Sequence, residues 1–136
     1  MRLSQDVEKA ILEIINEQDR DIVSRAAADI LKSLLLLYGS AWESDLKDVL
    51  MGIWSIRNLN LEQIGELQDA LSKAEKLLSE KKIIEVETKP RGDLGREKPI
   101  EEKFYTTKYL YLLMKLFSGD LEVDRFRYQS QGYINL

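Results

Sequence analysis

The chain has 136 residues, long enough to bury a core without staples, and we expect one domain over residues 1–136. It contains no cysteine and no histidine, which excludes disulfides, thiolate metal sites and the commonest catalytic base. Its 20 basic and 24 acidic residues give a net charge of −4. A polyanion is therefore a plausible partner only through a local basic footprint.

No apolar run approaches the roughly 18 residues of a membrane span, and a polar segment follows the first residues directly. We expect a cytoplasmic protein with no membrane association. Abundant Lys and Glu together with an absence of Cys is also typical of proteins from hot environments.

The N-terminal half predicts two helices. Ser4 is the expected N-cap of the first, whose apolar stripe runs from Val7 to Ile15. Asp19–Asp21 opens the second, which Tyr38 and Gly39 end. In the C-terminal half of this second helix, apolar residues occupy nearly every side, so we expect this half to be buried all round.

A third, short helix is predicted over Ala41–Met51. Ser40 and Glu43 have the spacing of a capping box at its start, and Gly52 weakens its end. Residues 53–58 then form a connector that is longer than a tight helix-turn-helix needs.

The best-specified helix is predicted over Leu61–Lys82. Asn60 has the position of an N-cap, Gln63 completes a capping box, and Leu59 is expected to pack on Ile64. Apolar residues recur at helical spacing, so that one face packs on the core and the other stays free.

A hairpin and a last helix follow. Ile83–Thr88 and Lys103–Thr106 read as strands, and Lys89–Pro99 between them holds both prolines and two glycines, which predicts a loop. Lys108–Ser118 predicts a helix. For the tail after Gly119 the pattern leaves three alternatives: a strand, an arm on a partner subunit, or a disordered segment.

This order of elements resembles the winged helix-turn-helix superfamily. The residues that carry the resemblance are LSKAEKLLSEKKIIEVE at Leu71–Glu87 and FYTT at Phe104–Thr107. It implies an α+β, mainly α fold with additional N-terminal and C-terminal helices. The core would span about 21–118 and the wing hairpin about 83–106, with a tail over 119–136; Leu61–Lys82 would be the recognition helix.

The resemblance implies double-stranded DNA as a partner and transcription regulation as the function. The expected DNA-binding residues are polar or basic ones on the lower recognition helix and the wing: Ser72, Lys73, Lys76, Lys89, Arg91, Arg96 and Lys98. Residues 89–98 carry four basic and two acidic side chains, whereas residues 60–82 carry four Lys against four Glu and one Asp. The wing is thus expected to supply most phosphate contacts.

The alternative is a winged-helix module that binds protein within a larger complex. The exposed start of the recognition helix presents Glu62, Glu66 and Asp69, which repel phosphates. A second interpretation of the same residues is structural: Glu62 complements the helix dipole, and Asp69 pairs with Lys73.

We expect no enzymatic activity, no metal and no cofactor. Acidic pairs such as Glu101 and Glu102 lack a setting that would raise one pKa, and no phosphate-binding glycine loop is present. Apolar residues in excess on the first helix and on Tyr109–Phe117 predict core packing or a homodimer through the terminal helices. The sequence pattern also leaves room for a small-molecule pocket between those helices, as in ligand-responsive regulators.

Overall fold

The computed structural model describes residues 2–92 and 100–134, with the side chains of 5–92 and 100–130. Within these residues the chain is mainly helical with a small antiparallel sheet, as the α+β, mainly α prediction requires. No described helix is long and apolar enough to cross a bilayer. The elements in order are α1 (Arg2–Glu17), α2 (Ile22–Leu36), β1 (Ser40–Trp42), α3 (Glu43–Ile56), α4 (Leu61–Glu80), β2 (Glu85–Arg91), β3 (Ile100–Thr106), α5 (Leu110–Leu116) and α6 (Leu121–Ile134).

Helix α2 is the centre of the fold. Every residue from Ala26 to Leu35 is buried, as the sequence predicted, because α1, α3, α4, α5 and α6 all pack against it. Asp21 caps its start by accepting a hydrogen bond from the Ser24 backbone N–H. Tyr38 and Gly39 both have positive φ and turn the chain into β1.

The capping box predicted at Ser40 is wrong, because Ser40–Trp42 is a strand. This strand, β1, pairs with β3, placing Ala41 opposite Tyr105. Helix α3 therefore begins at Glu43, and its N-cap, Trp42, makes no side-chain capping bond. Instead Glu102, which is distant in sequence, accepts from the Ser44 backbone N–H at 2.9 Å.

Helix α3 also ends later than predicted. It continues through Gly52 to Ile56, so the supposed long connector is a short turn in which Asn58 has positive φ. A Cβ at Gly52 would lie 2.6 Å from Cε2 of Phe126 in α6, so a side chain there would force the Phe126 ring to shift.

The start of α4 is as predicted. The Gln63 backbone N–H donates to Asn60 Oδ1 at 2.8 Å, and the Asn60 backbone N–H donates to Gln63 Oε1 at 3.0 Å. Four small or aliphatic residues bury one face of the helix: Leu67, Ala70, Ala74 and Leu78. That face packs mainly on α2.

The sheet has the strand order β1-β3-β2. The hairpin is longer than predicted: β2 continues to Arg91 and pairs it with Ile100, so the first residues of the supposed loop are strand. Pro90 is tolerated because β2 is an edge strand: proline has no N–H, but an edge strand pairs with a neighbour on one side only.

Two helices follow the sheet. α5 lies inside the predicted Lys108–Ser118. The tail is neither strand nor disordered over 121–134: it forms α6, which packs on α3 of its own chain. Asp120 begins α6 by accepting from the Val123 backbone N–H at 3.0 Å.

Candidate functional site

The outward face of α4 carries acidic side chains on its first half and polar or basic side chains on its second half. Glu62, Glu66 and Asp69 are exposed on its first half, and the three expected DNA-binding residues of α4 are exposed on its second half: Ser72, Lys73 and Lys76. These side chains occupy one helix and are open to a large partner.

Local pairing on this face is sparse. Lys76 lies 4.0 Å from Glu80, a distance typical of a weak exposed ion pair. Among the described side chains, the predicted pair of Asp69 and Lys73 does not come within 4.0 Å. The charges of α4 therefore remain largely hydrated rather than neutralised by one another.

Arg91 is fixed by its own chain and does not lie on a loop. Its Nη1 donates to Ser44 Oγ at 2.9 Å and is 3.2 Å from Glu102 Oε2, while its Nη2 is 3.6 Å from Asp45 Oδ2. The guanidinium carbon lies 5.2 Å from the Trp42 ring centroid. We call Ser44, Asp45, Arg91 and Glu102 the hairpin cluster; it fastens the hairpin to the first turn of α3.

Glu102 is the centre of this cluster. Hydrogen bonds from the Ser44 backbone N–H and hydroxyl, together with the charge of Arg91, hold the pKa of Glu102 below its usual range. The Glu102 carboxylate thus caps α3 and also neutralises Arg91, which the sequence analysis assigned to DNA binding.

Lys89 lies on β2 and is more open than Arg91. Its Nζ is 4.8 Å from the Phe104 ring centroid and 3.5 Å from Glu87 Oε2. Phe104 in turn meets the Trp42 ring edge-on at 4.9 Å.

The hairpin has no basic excess within its strands. β2 and β3 together carry three basic side chains against four acidic ones. Arg96 and Lys98, the other two predicted wing contacts, lie outside the described residues.

Sequence reasoning missed a buried ionic cluster between α2, the end of α3 and α6. Arg57 Nη2 donates to Asp29 Oδ1 at 2.7 Å, and its Nε donates to Glu122 Oε2 at 2.7 Å. Lys32 Nζ lies 2.9 Å from Glu122 Oε1 and 3.0 Å from Asp120 Oδ2. We call Asp29, Lys32, Arg57, Asp120 and Glu122 the α6 anchor.

The anchor is fully satisfied. Asp29 also accepts from Trp54 Nε1 at 3.0 Å, and no buried side-chain polar atom in the described part of the chain lacks a partner. Burial alone would raise the pKa of Glu122, but hydrogen bonds from Arg57 and Lys32 outweigh it and lower that pKa to about 2. Burial alone would lower the pKa of Arg57, yet its bonds to Glu122 and Asp29 raise it.

One sequence signal could have revealed this anchor. Asp29 and Lys32 interrupt the otherwise largely apolar stretch from Ala26 to Leu37, and charges inside such a helix require partners. Their partners are far away in sequence, so spacing could not name them.

Comparisons with known proteins add no relative. No family model matches the chain, and neither the curated proteins nor the solved structures gave a match. Within 2–92 and 100–134, no three acidic side chains are grouped so as to hold a metal ion.

Proposed function

We propose that this chain is a winged-helix DNA-binding protein that regulates transcription in the cytoplasm as a homodimer. The observation that carries the proposal is the setting of α4: one face packs on α2, the other is bare, and an antiparallel hairpin follows directly. A helix held in this way can enter a major groove while the hairpin lies along the backbone.

The basic side chains would contribute unequally. Ser72, Lys73 and Lys76 are exposed on α4, and Lys89 is exposed on β2, so phosphate can reach them without breaking a buried pair. Arg91 would first have to leave Glu102 and Asp45. Arg96 and Lys98 complete the proposed set from the segment between the strands.

Fluorescence anisotropy of a labelled random duplex at about 50 and about 200 mM salt tests the proposal. We expect binding at low salt that weakens by about 10³-fold or more at high salt. Lys73→Ala with Lys76→Ala should weaken binding to every sequence and flatten the salt slope by about two units. The matched control is Lys9→Ala with Arg20→Ala, which removes two exposed charges away from α4. No binding at micromolar protein in low salt would overturn the DNA proposal.

A second candidate is a protein-binding module. It is favoured by the acidic first half of α4 and by Leu61 beside it, which is 88% exposed at the first turn. An apolar anchor rimmed by Glu62, Glu66 and Asp69 suits a basic protein surface better than DNA. Charge reversal at Glu66 and Asp69 should then abolish a pull-down partner and leave DNA affinity unreduced.

The homodimer is supported by apolar side chains on α1 and α5. Lys115 Nζ lies 3.3 Å from Glu8 Oε1, which places the two helices side by side. Tyr111 is 83% exposed there, and Leu12 and Met114 are exposed as well. Light scattering on a sizing column should give twice the chain mass, and Tyr111→Glu with Met114→Glu should give the monomer. A monomer mass for the unmodified chain at micromolar concentration would refute the dimer.

A further inference from the structure

A groove runs between α3 and α4. Both helices pack on α2 and contact each other little, which leaves a gap above α2. Two cavities of about 220 and 190 Å³ lie in this gap and share four lining residues: Lys47, Leu50, Gln68 and Leu71. The two cavities therefore adjoin each other, and we call them together the α3–α4 groove.

One end of the α3–α4 groove is polar and structured. The Tyr105 hydroxyl donates to Glu75 Oε2 at 3.0 Å, and Lys103 Nζ lies 3.2 Å from Glu75 Oε1. Glu43 lines the same end. Burial, followed by the charge of Glu75, raises the pKa of Tyr105, so its hydroxyl stays protonated. Two carboxylates and a phenolic oxygen thus converge on one space.

The remainder of the groove is mostly apolar. Ile30, Leu46 and Leu50 line the larger cavity, while Met51 and Trp54 line the smaller one. Lys47 lies at the rim of both, with its Nζ 4.0 Å from Glu43 Oε2 and most of its side chain in water. The groove therefore has a polar end with two carboxylates, an apolar wall and an exposed lysine at its rim.

We propose that the α3–α4 groove binds a small α-amino acid with an apolar side chain. The ligand ammonium has three donors, matched by the Glu43 and Glu75 carboxylates and the Tyr105 oxygen. Its carboxylate pairs with Lys47, and its side chain lies along Leu50 and Leu71.

Size and charge favour this class of ligand. Each cavity is smaller than the roughly 300 Å³ at which pockets for drug-sized ligands begin, so the ligand is small. The charged lining consists of Glu43, Glu75, Lys47 and Lys103, whose charges cancel. A neutral lining with both signs favours a zwitterion over an ion of either sign. This binding does not depend on the proposed DNA activity.

The test is titration of the full chain with three probes of one shape: L-leucine, isopentylamine, which lacks the carboxylate, and isocaproate, which lacks the ammonium. Trp54 fluorescence, read in a Trp42→Phe background that leaves it as the only tryptophan, and calorimetry report binding. We expect saturation by leucine with a Kd on the order of 1 mM or below, about tenfold weaker binding of the amine, and no saturation by the acid. No saturation by leucine at about 10 mM, or equal binding of leucine and either analogue, would overturn the proposal.

Variants locate the site. Glu75→Gln keeps the shape and removes the charge, and it should weaken leucine binding by about tenfold or more. Glu80→Gln, on the same helix but outside the groove, should leave the affinity unchanged. Leu71→Trp should block both cavities. If Glu75→Gln or Leu71→Trp binds leucine as tightly as the parent chain, the groove is not the site. The three-probe comparison on the parent chain decides the matter even where a variant fails to fold.

Discussion

The α6 anchor and the hairpin cluster each contain an arginine paired with one Asp and one Glu, but they differ in access to water. In the anchor, the Asp29 side chain is fully buried and that of Arg57 is 10% exposed. In the hairpin cluster, Arg91 is 34% and Asp45 48% exposed. An ion pair that water reaches contributes about 0–1 kcal/mol, whereas removing one member of a buried set leaves its partner uncompensated at about 3–5 kcal/mol. The anchor therefore holds the fold, and the hairpin cluster can exchange its partners for a ligand.

The largest effect should follow from Asp29→Ala. It leaves the Arg57 guanidinium and the Trp54 N–H without their buried acceptor, so we expect a loss of about 3–5 kcal/mol in the free energy of unfolding, measured in urea. The control, Asp45→Ala, removes an exposed partner of Arg91 and should cost less than about 1 kcal/mol. Equal losses in the two variants would erase the distinction between the clusters.

The second-largest loss in the free energy of unfolding should come from acid, which protonates the α6 anchor. Because the pKa of Glu122 is lowered from 4.5 to about 2 in the folded chain, its contribution is present above the unfolded value and disappears as pH falls through about 2. The contribution is on the order of 3 kcal/mol, at about 1.4 kcal/mol per pKa unit. Urea melts between pH 5 and pH 2 should show a loss of about this size that is absent in Glu122→Gln. A variant with an unchanged slope would contradict the assignment.

The third prediction, Gly52→Ala, tests how α6 packs on α3 through side-chain volume rather than charge. The new methyl group would meet the Phe126 ring at 2.6 Å, and we expect a cost of about 1–3 kcal/mol from overpacking. Gly65→Ala is the matched control in α4, where nothing lies within 4 Å of the added Cβ, and it should stabilise by about 0.5–1 kcal/mol. Thermal melts distinguish the two signs. A stabilising Gly52→Ala would mean that the Phe126 ring moves aside at little cost.

The smallest effect should come from Arg91→Ala. Its partners stay hydrated when it is removed, so we expect a loss of less than about 1 kcal/mol in urea unfolding. A loss above about 2 kcal/mol would show that the hairpin cluster is as structural as the anchor.

Sequence predicted the elements whose signals are local. The capping box of Asn60 and Gln63 needs only residues three apart, and the burial of α2 follows from its composition. Local signals failed where a distant partner decides. The first turn of α3 is capped by Glu102 rather than Ser40, and α3 continues through Gly52, whose missing side chain leaves room for the Phe126 ring.

The residues of the candidate site also fall into those that sequence could predict and those that it could not. Exposure of Lys73 and Lys76 follows from the helical rotation that opposes them to Leu67 and Leu78, so sequence was sufficient. The pairing of Arg91 with Glu102 and Asp45 needs the register of β2 on β3 and the position of α3, which spacing alone does not give. The α6 anchor bonds residues up to 90 positions apart, as in Lys32 and Glu122, and could not be predicted from sequence for that reason.

The bond from the Ser44 N–H to Glu102 gives the hairpin a thermodynamic connection to α3. An anion that draws Arg91 away leaves Glu102 with the Ser44 hydroxyl and N–H alone, and so changes the stability of the first turn of α3. Coupling of this kind is reciprocal. If an anion at Arg91 changes the affinity of the first turn of α3 for a molecule held against Glu43, that molecule changes the affinity of Arg91 for the anion by the same factor. The pairing of Arg91 in the hairpin and the stability of the first turn of α3 are therefore thermodynamically linked.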